Sequence, residues 1–283
     1  MIGKKFLYGY HHSLYDTNLA DLVDQLNVVD LQYRGFTFEG AAMGMALLDT
    51  ISLTNKLRLK KFMDGAGKPH IYMLHVGAGW AYAKLPVRVE KMLDQFDPVL
   101  KWLVMDGYGF CNAYFKTKKY VKNAEAPALE GYALHAFYQG VGRCLWFVEG
   151  ANPEKISKRI GSFPTEFSGD LWSGVGLAST YAGGVDKAVI EKLRETGKDY
   201  HLYLAQGAAF AAKARILAGN LMPHTDMACQ IFSYISANKA ASIADETWHE
   251  LKSVEIDGLT VYESWRKKIR NRLAEILDQP VIT

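Results

Sequence analysis

The sequence has few cysteines and little net charge, and both scarcities exclude classes of protein. Its three cysteines, Cys111, Cys144 and Cys229, are odd in number and far apart. That spacing argues against a disulfide framework and favours reduced thiols, so we expect a cytoplasmic protein. A net charge of +3 over 283 residues is too small to indicate nucleic acid as a partner.

Long apolar runs and metal motifs are also missing. No uninterrupted apolar stretch reaches the roughly 18 residues of a membrane-spanning helix, so no span is expected. His11 and His12 are adjacent and direct their rings to different faces, and no HExxH motif occurs. The sequence also lacks a GxSxG nucleophile elbow and the DDxxD and DxDD motifs of terpene cyclases. We therefore expect neither a metal nor a cofactor.

Helical spacing of apolar residues is what the sequence does contain, from one end to the other. Asp97-Pro98 and Asn152-Pro153 each place an N-cap residue before a proline at the first helical position. One long predicted helix covers Gly40–Lys61. The one strand candidate, Val254–Val261, is either a short hairpin or a loop. These patterns predict a single all-α domain over residues 1–283.

An internal repeat with an offset of about 97 residues is suggested by three matches in the same order. The matched segments have offsets of 100, 96 and 97 residues; they are Tyr8–Thr17 with Tyr108–Thr117, Gly35–Gly44 with Gly131–Gly140, and Leu74–Ala81 with Leu171–Ala178. They predict two similar helical units, 6–96 and 97–184, followed by a partial third unit over 185–283. Gly77, Gly79, Gly174 and Gly176 are then expected at close helix crossings.

The central helix, predicted within Ala128–Gly150, is apolar nearly all round and should be buried. His135, Gln139 and Arg143 recur on it at steps of four, which places them along one face. Buried polar groups need hydrogen-bond partners, and a buried arginine needs an acceptor or an anion. This face therefore forms either a structural network between helices or the wall of a pocket.

The repeat aligns Glu39 with His135, so both are candidates to face one shared cavity. A carboxylate beside an imidazole can carry out acid–base chemistry near neutral pH, and it can equally be a buried ion pair that only fixes the helices. The predicted catalytic residues are His135, Glu39 and Asp106. The predicted substrate-binding residues are other polar and aromatic side chains within the apolar helices: Arg143, Gln139, Trp146, Arg34, His75, Asp170, Trp172, Gln206 and Tyr138.

Several segments resemble one known family along nearly the whole chain. They include YRGFTFEGAAMGMALLD, HVGAGWAYAKL, GYALHAFYQGVGRCLWFVEGANPEKI and DLWSGVGLASTYAGG. Together they resemble the enediyne biosynthesis protein family, also known as domain of unknown function 1702. The resemblance implies a role in secondary metabolism, beside a polyketide synthase that makes a linear polyene. It implies neither a reaction nor catalytic residues.

Three function classes follow from the pocket pattern and the resemblance. The first is an enzyme that cyclises or otherwise acts on a linear polyene or isoprenoid chain by acid–base chemistry. The second is a non-catalytic carrier of such a chain, and the third is a scaffold that binds a synthase. A large apolar cavity would separate the first two from the third, and a perturbed acid–base pair inside it would favour the enzyme.

Overall fold

The computed structural model describes residues 1–15, 18–52, 57–251 and 260–277. Within these ranges the chain forms helices and contains no β-strand, which confirms the predicted single all-α domain. The hairpin candidate Val254–Val261 lies outside the described residues except for its last two, and Val261 begins a helix. In the same ranges no helix is both long enough and apolar enough to cross a membrane.

The described helices vary from one turn to nearly six turns in length. They are α1 (Ile2–Tyr15), α2 (Leu19–Asn27), α3 (Leu31–Ile51), α4 (Arg58–Asp64), α5 (Ile71–Tyr82), α6 (Val89–Met92), α7 (Lys101–Phe115), α8 (Tyr132–Val148), α9 (Pro153–Ile160), α10 (Ser168–Ala182), α11 (Lys187–Thr196), α12 (His201–Leu217), α13 (Pro223–Ser233), α14 (Ala237–His249) and α15 (Val261–Leu277). The central helix predicted from the sequence is α8.

The predicted helix Gly40–Lys61 is wrong, because one helix ends and another begins inside it. Helix α3 already begins at Leu31 and ends at Ile51. The carboxylate of Asp49, in the last turn of α3, accepts hydrogen bonds from the backbone N–H groups of Arg58 and Leu59 at 3.1 and 2.9 Å. It thereby satisfies N–H groups that the start of α4 cannot pair within its own helix, and a second helix begins there.

Six helices, α3, α5, α7, α8, α10 and α12, pack side by side in chain order, and α1 packs against α3. The row curls, so that its last helix returns to its first. Arg215 of α12 donates to the backbone carbonyl of Gln32 in α3 at 3.1 Å. Helices α13, α14 and α15 pack against α12. The inner faces of the row therefore enclose a common interior.

Close approach of neighbouring helices requires glycine at one point of each crossing. A Cβ atom on Gly77 of α5 would lie 2.1 Å from a backbone oxygen of α3, and one on Gly79 would lie 2.0 Å from a backbone oxygen of α7. On α10, a Cβ on Gly174 or Gly176 would meet a backbone oxygen of α8 or α12 at 2.0 and 2.2 Å. The four glycines predicted at close crossings do lie there.

This glycine pair recurs on four consecutive helices of the row, at Gly77 and Gly79, Gly107 and Gly109, Gly140 and Gly142, and Gly174 and Gly176. The first glycine of each pair contacts the preceding helix of the row and the second contacts the following helix. The two-residue spacing of glycines is therefore a feature of each of these helices and does not mark two larger units. The structure does not confirm the duplication into two units, and the boundaries proposed for those units stay a prediction.

Candidate functional site

A ring of buried polar residues lies next to these glycines. Each helix of the row has a glycine that contacts the preceding helix. On five of the six helices the residue immediately before this glycine is polar: Glu39, Asp106, Gln139, Ser173 and Gln206. All five are nearly or fully buried, and hydrogen bonds join several of them. Glycine and polar residue together place a ring of hydrogen-bonding groups inside the protein.

In this ring Gln139 is the residue of α8 that corresponds to Glu39 of α3. The sequence repeat had instead aligned Glu39 with His135, one helical turn earlier. A slip of four residues on an α-helix rotates a side chain by only about 40°, so both alignments keep it on nearly the same face. The sequence match therefore could not separate the two registers.

Arg143 occupies the centre of the first buried network. Its guanidinium forms an ion pair with Asp106 Oδ1, and its Nη2 lies 3.9 Å from Glu39 Oε1. Gln139 donates from Nε2 to Asp106 Oδ2 at 2.7 Å and to the Tyr262 hydroxyl at 3.1 Å. The buried arginine thus has its counter-charge within the protein.

Within this network, burial disfavours the ionised form of Glu39. The carboxyl is 3% exposed, and its burial raises the pKa from 4.5 to about 7. Arg143 opposes that rise, whereas the neighbouring carboxylate of Asp106 adds to it. Burial therefore brings the pKa of Glu39 close to neutral pH.

The interior beside this network is nearly full. A cavity of about 30 Å³ lies between Asp106, Arg143, Tyr181, Phe210 and Trp265. That volume holds one or two water molecules, whereas ligand sites typically occupy some 300–1,000 Å³. This cavity is therefore too small to enclose an extended chain.

Arg266 of α15 is the centre of a second buried network, and the side chain is 1% exposed. It donates to Asp170 Oδ1 and Glu263 Oε2, both at 2.7 Å, and to Gln206 Oε1 at 3.1 Å. It also donates to the Tyr132 hydroxyl at 3.0 Å. One guanidinium thus ties α15 to α8, α10 and α12.

His135 connects this second network to the protein surface. Its Nδ1 lies 2.8 Å from Asp170 Oδ2, and its side chain is 41% exposed. The hydrogen bond to Asp170 raises the imidazole pKa above 6.5, although burial opposes the rise. The ring lines an open pocket of about 440 Å³ together with Tyr132, Leu134, Glu166 and Phe167.

The structure brings most of the predicted residues into these two networks. Glu39, Asp106, Gln139 and Arg143 form the first, and His135, Asp170 and Gln206 belong to the second. Glu39 and His135, which were predicted to share one cavity, are in different networks. Among the described residues, no group of three histidine, cysteine or acidic side chains is arranged to hold a metal ion.

The other predicted binding residues lie elsewhere. Arg34 donates to two backbone carbonyls of the α2–α3 connection, those of Asn27 and Val29. Tyr138 stacks on Phe167 with ring centroids 4.2 Å apart. Three more are buried side chains with no place in either network: Trp146, Trp172 and His75. His75 lines a separate cleft.

Four network residues were not predicted from the sequence: Tyr132 of α8, and Tyr262, Glu263 and Arg266 of α15. The segment VYESWRKKIRNR is rich in charge, which is typical of an exposed helix. Only the spacing of Tyr262 and Arg266, one turn apart beside a tryptophan, could have indicated a polar face turned inward.

Fold and site together define an all-α protein whose curled helical row contains two buried arginine–carboxylate networks. The chain belongs to the family described as Protein of unknown function (DUF1702), whose family model matches residues 1–273. That description assigns no function, and nothing in it links the chain to enediyne biosynthesis. The predicted enediyne assignment is therefore wrong, and the synthase partner drawn from it loses its basis. No curated protein and no solved structure matches the chain.

Proposed function

We propose that the protein is an enzyme that moves protons on an apolar, unsaturated chain of the polyene or isoprenoid kind, with His135 as the general acid–base. The observation that carries this proposal is the series of contacts from Arg266 through Asp170 to His135, which ends at an open pocket. A base held by a carboxylate that is itself held by an arginine is a common arrangement for proton transfer.

In this proposal each contact has a role. Asp170 accepts the Nδ1–H of His135, which leaves the lone pair on Nε2 as the base. Arg266 fixes Asp170 by a 2.7 Å hydrogen bond to its other oxygen, so the imidazole is held in one orientation. His135 would take a proton from one carbon of the chain and return it to another, which shifts a double bond and needs no co-reactant.

The pocket offers apolar contacts to a substrate, beside the polar side chains of Glu166 and Thr260. Leu134 and Phe167 lie beside His135, and the Tyr132 ring stacks on the imidazole at 5.6 Å between centroids. A volume of about 440 Å³ suits a small molecule or one end of a longer chain. The nearly full interior supports binding at this outer pocket over enclosure within the helical row.

Deuterium exchange tests the proposed proton transfer. Citral, an isoprenoid aldehyde with acidified C–H groups, is incubated with the protein in D₂O, and deuterium uptake is followed by mass spectrometry. His135→Gln should lower the exchange rate by about 100-fold or more. His201→Gln is the matched control, because His201 is bonded only to a local backbone carbonyl. Exchange by His135→Gln at the parent rate would refute the role of His135.

The pH dependence gives an independent check. Since the basic imidazole is the active form, exchange should increase as the pH rises through the His135 pKa. Asp170→Asn removes the interaction that raises this pKa, so the increase should move to lower pH. NMR titration of the His135 ring measures the same change without a substrate, and an unchanged pKa in Asp170→Asn would contradict the assignment.

A further inference from the structure

A second cleft of the described chain shares no lining residue with the His135 pocket. It has a volume of about 750 Å³ and lies between the end of α3, α4, the start of α5, α6 and the start of α7. Met63, Ile71, Met92, Phe96 and Leu100 form much of its wall. Its size and apolar wall are those of a site for a small molecule.

His75 lines this cleft with an unsatisfied nitrogen. Its Nδ1 lies 2.8 Å from the backbone carbonyl oxygen of Ile71, one turn earlier on α5, so Nδ1 carries the proton. Nε2 is then an acceptor, and it is buried without a hydrogen-bond partner, in a side chain that is only 2% exposed. An unpaired buried acceptor destabilises a fold, which makes Nε2 a place for a donor from outside the chain.

The imidazole of His75 is neutral at physiological pH. Burial lowers its pKa from 6.5 to about 4, and neither the bond to Ile71 nor the charge of Asp97 restores it. A neutral acceptor in an apolar wall suits a hydroxyl group better than an anion.

Tyr82 adds a second polar group on the same face of α5, two turns after His75. Its hydroxyl oxygen accepts from Gln95 Nε2 at 2.9 Å, so its own proton is free to donate. The rings of His75 and Tyr82 both contact Phe96, with centroids 5.4 and 6.3 Å away. The apolar wall is thus flanked by one acceptor and one donor.

The charged residues along the cleft offer little to an ionic ligand. The carboxylates of Asp49 and Asp97 both accept from backbone N–H groups, Asp49 at the start of α4 and Asp97 in the turn before α7. Lys60 and Asp64 pair with each other at 3.0 Å, which leaves Lys68 at the rim. We infer that this cleft binds a neutral, mainly apolar molecule that carries a hydroxyl group, whose O–H donates to His75 Nε2.

Two matched probes test this inference by calorimetry: decan-1-ol, which can donate a hydrogen bond, and 1-methoxydecane, which cannot. The parent protein should bind the alcohol about tenfold more tightly than the ether. His75→Leu should bind both equally. His70→Leu is the control, because His70 is also a buried histidine but stacks on Phe38 away from the cleft.

A second variant keeps the test decisive if His75→Leu does not fold. Met92→Trp places a larger ring in the cleft at a partly buried position, and it should abolish binding of both probes. His135→Gln should bind decan-1-ol as the parent does, which separates this site from the proposed catalytic pocket. Equal affinity of the parent for the two probes, no binding of either, or an unchanged preference in His75→Leu would overturn the inference.

Discussion

Replacing Glu39 by glutamine should stabilise the protein at pH 8 and have little effect at pH 5. Glutamine has nearly the same shape as a protonated glutamate, so the variant mimics the form that the burial of this side chain favours. The carboxyl ionises freely in the unfolded chain but only near pH 7 in the folded protein. Between these two values the folded state binds more protons than the unfolded state, so this group makes stability fall as the pH rises.

The magnitude follows from the two pKa values. A rise from 4.5 to about 7 destabilises the folded protein by about 3 kcal/mol once the pH exceeds both values. At pH 5 the folded-state carboxyl is protonated, and most of this penalty is absent. Glu39→Gln removes the ionisation, so the gain in unfolding free energy should be about 2.5 kcal/mol larger at pH 8 than at pH 5.

Urea unfolding of both proteins at the two pH values measures this difference. Other titrating groups, such as His135 and His75, are present in both proteins and cancel in the comparison. Asp49→Asn serves as the control, because Asp49 is a partly buried carboxylate outside the network. If the gain for Glu39→Gln is the same at pH 5 and pH 8, Glu39 is ionised throughout and Arg143 compensates its charge fully.

Two further substitutions test the packing and the second network by thermal or urea unfolding. Gly176→Ala should destabilise the fold by roughly 1–3 kcal/mol, because its Cβ would lie 2.2 Å from a backbone oxygen of α12. Gly161→Ala is the control and should be nearly neutral, because its Cβ would have only ordinary contacts. Equal effects of the two substitutions would contradict the close crossings. Arg266→Met should cost about 3–5 kcal/mol, because it leaves the buried Asp170 without its main counter-charge; a parent-like unfolding midpoint would show that Asp170 is neutral or hydrated.

The sequence by itself determined the all-α class and many of the helix starts. Both are local properties: apolar residues at steps of three and four define a helix, and an N-cap followed by proline defines its start. The side chain of Asn152, for example, accepts from the Lys155 backbone N–H at 2.9 Å as the Asn-Pro pattern predicts. The break between α3 and α4 was missed because the side chain of Asp49 accepts from the start of a helix nine residues further along the chain.

The sequence also indicated that Gln139 and Arg143 occupy one buried face, since side chains four residues apart lie on the same side of a helix. It could not decide what that face meets. Arg143 pairs with Asp106 from a neighbouring helix, and His135, on the same predicted stripe, emerges at the surface beside Asp170. These partners are 35 to 37 residues apart along the chain.

Only the tertiary structure decided which partners meet, because the curl of the helical row and the docking of α15 bring them together. Arg266 reaches Asp170 across 96 residues of sequence, and no local pattern encodes that distance. The one-turn slip from His135 to Gln139 as the counterpart of Glu39 has the same origin: helical periodicity fixes the face of a side chain, and packing against the next helix fixes its position along the helix axis.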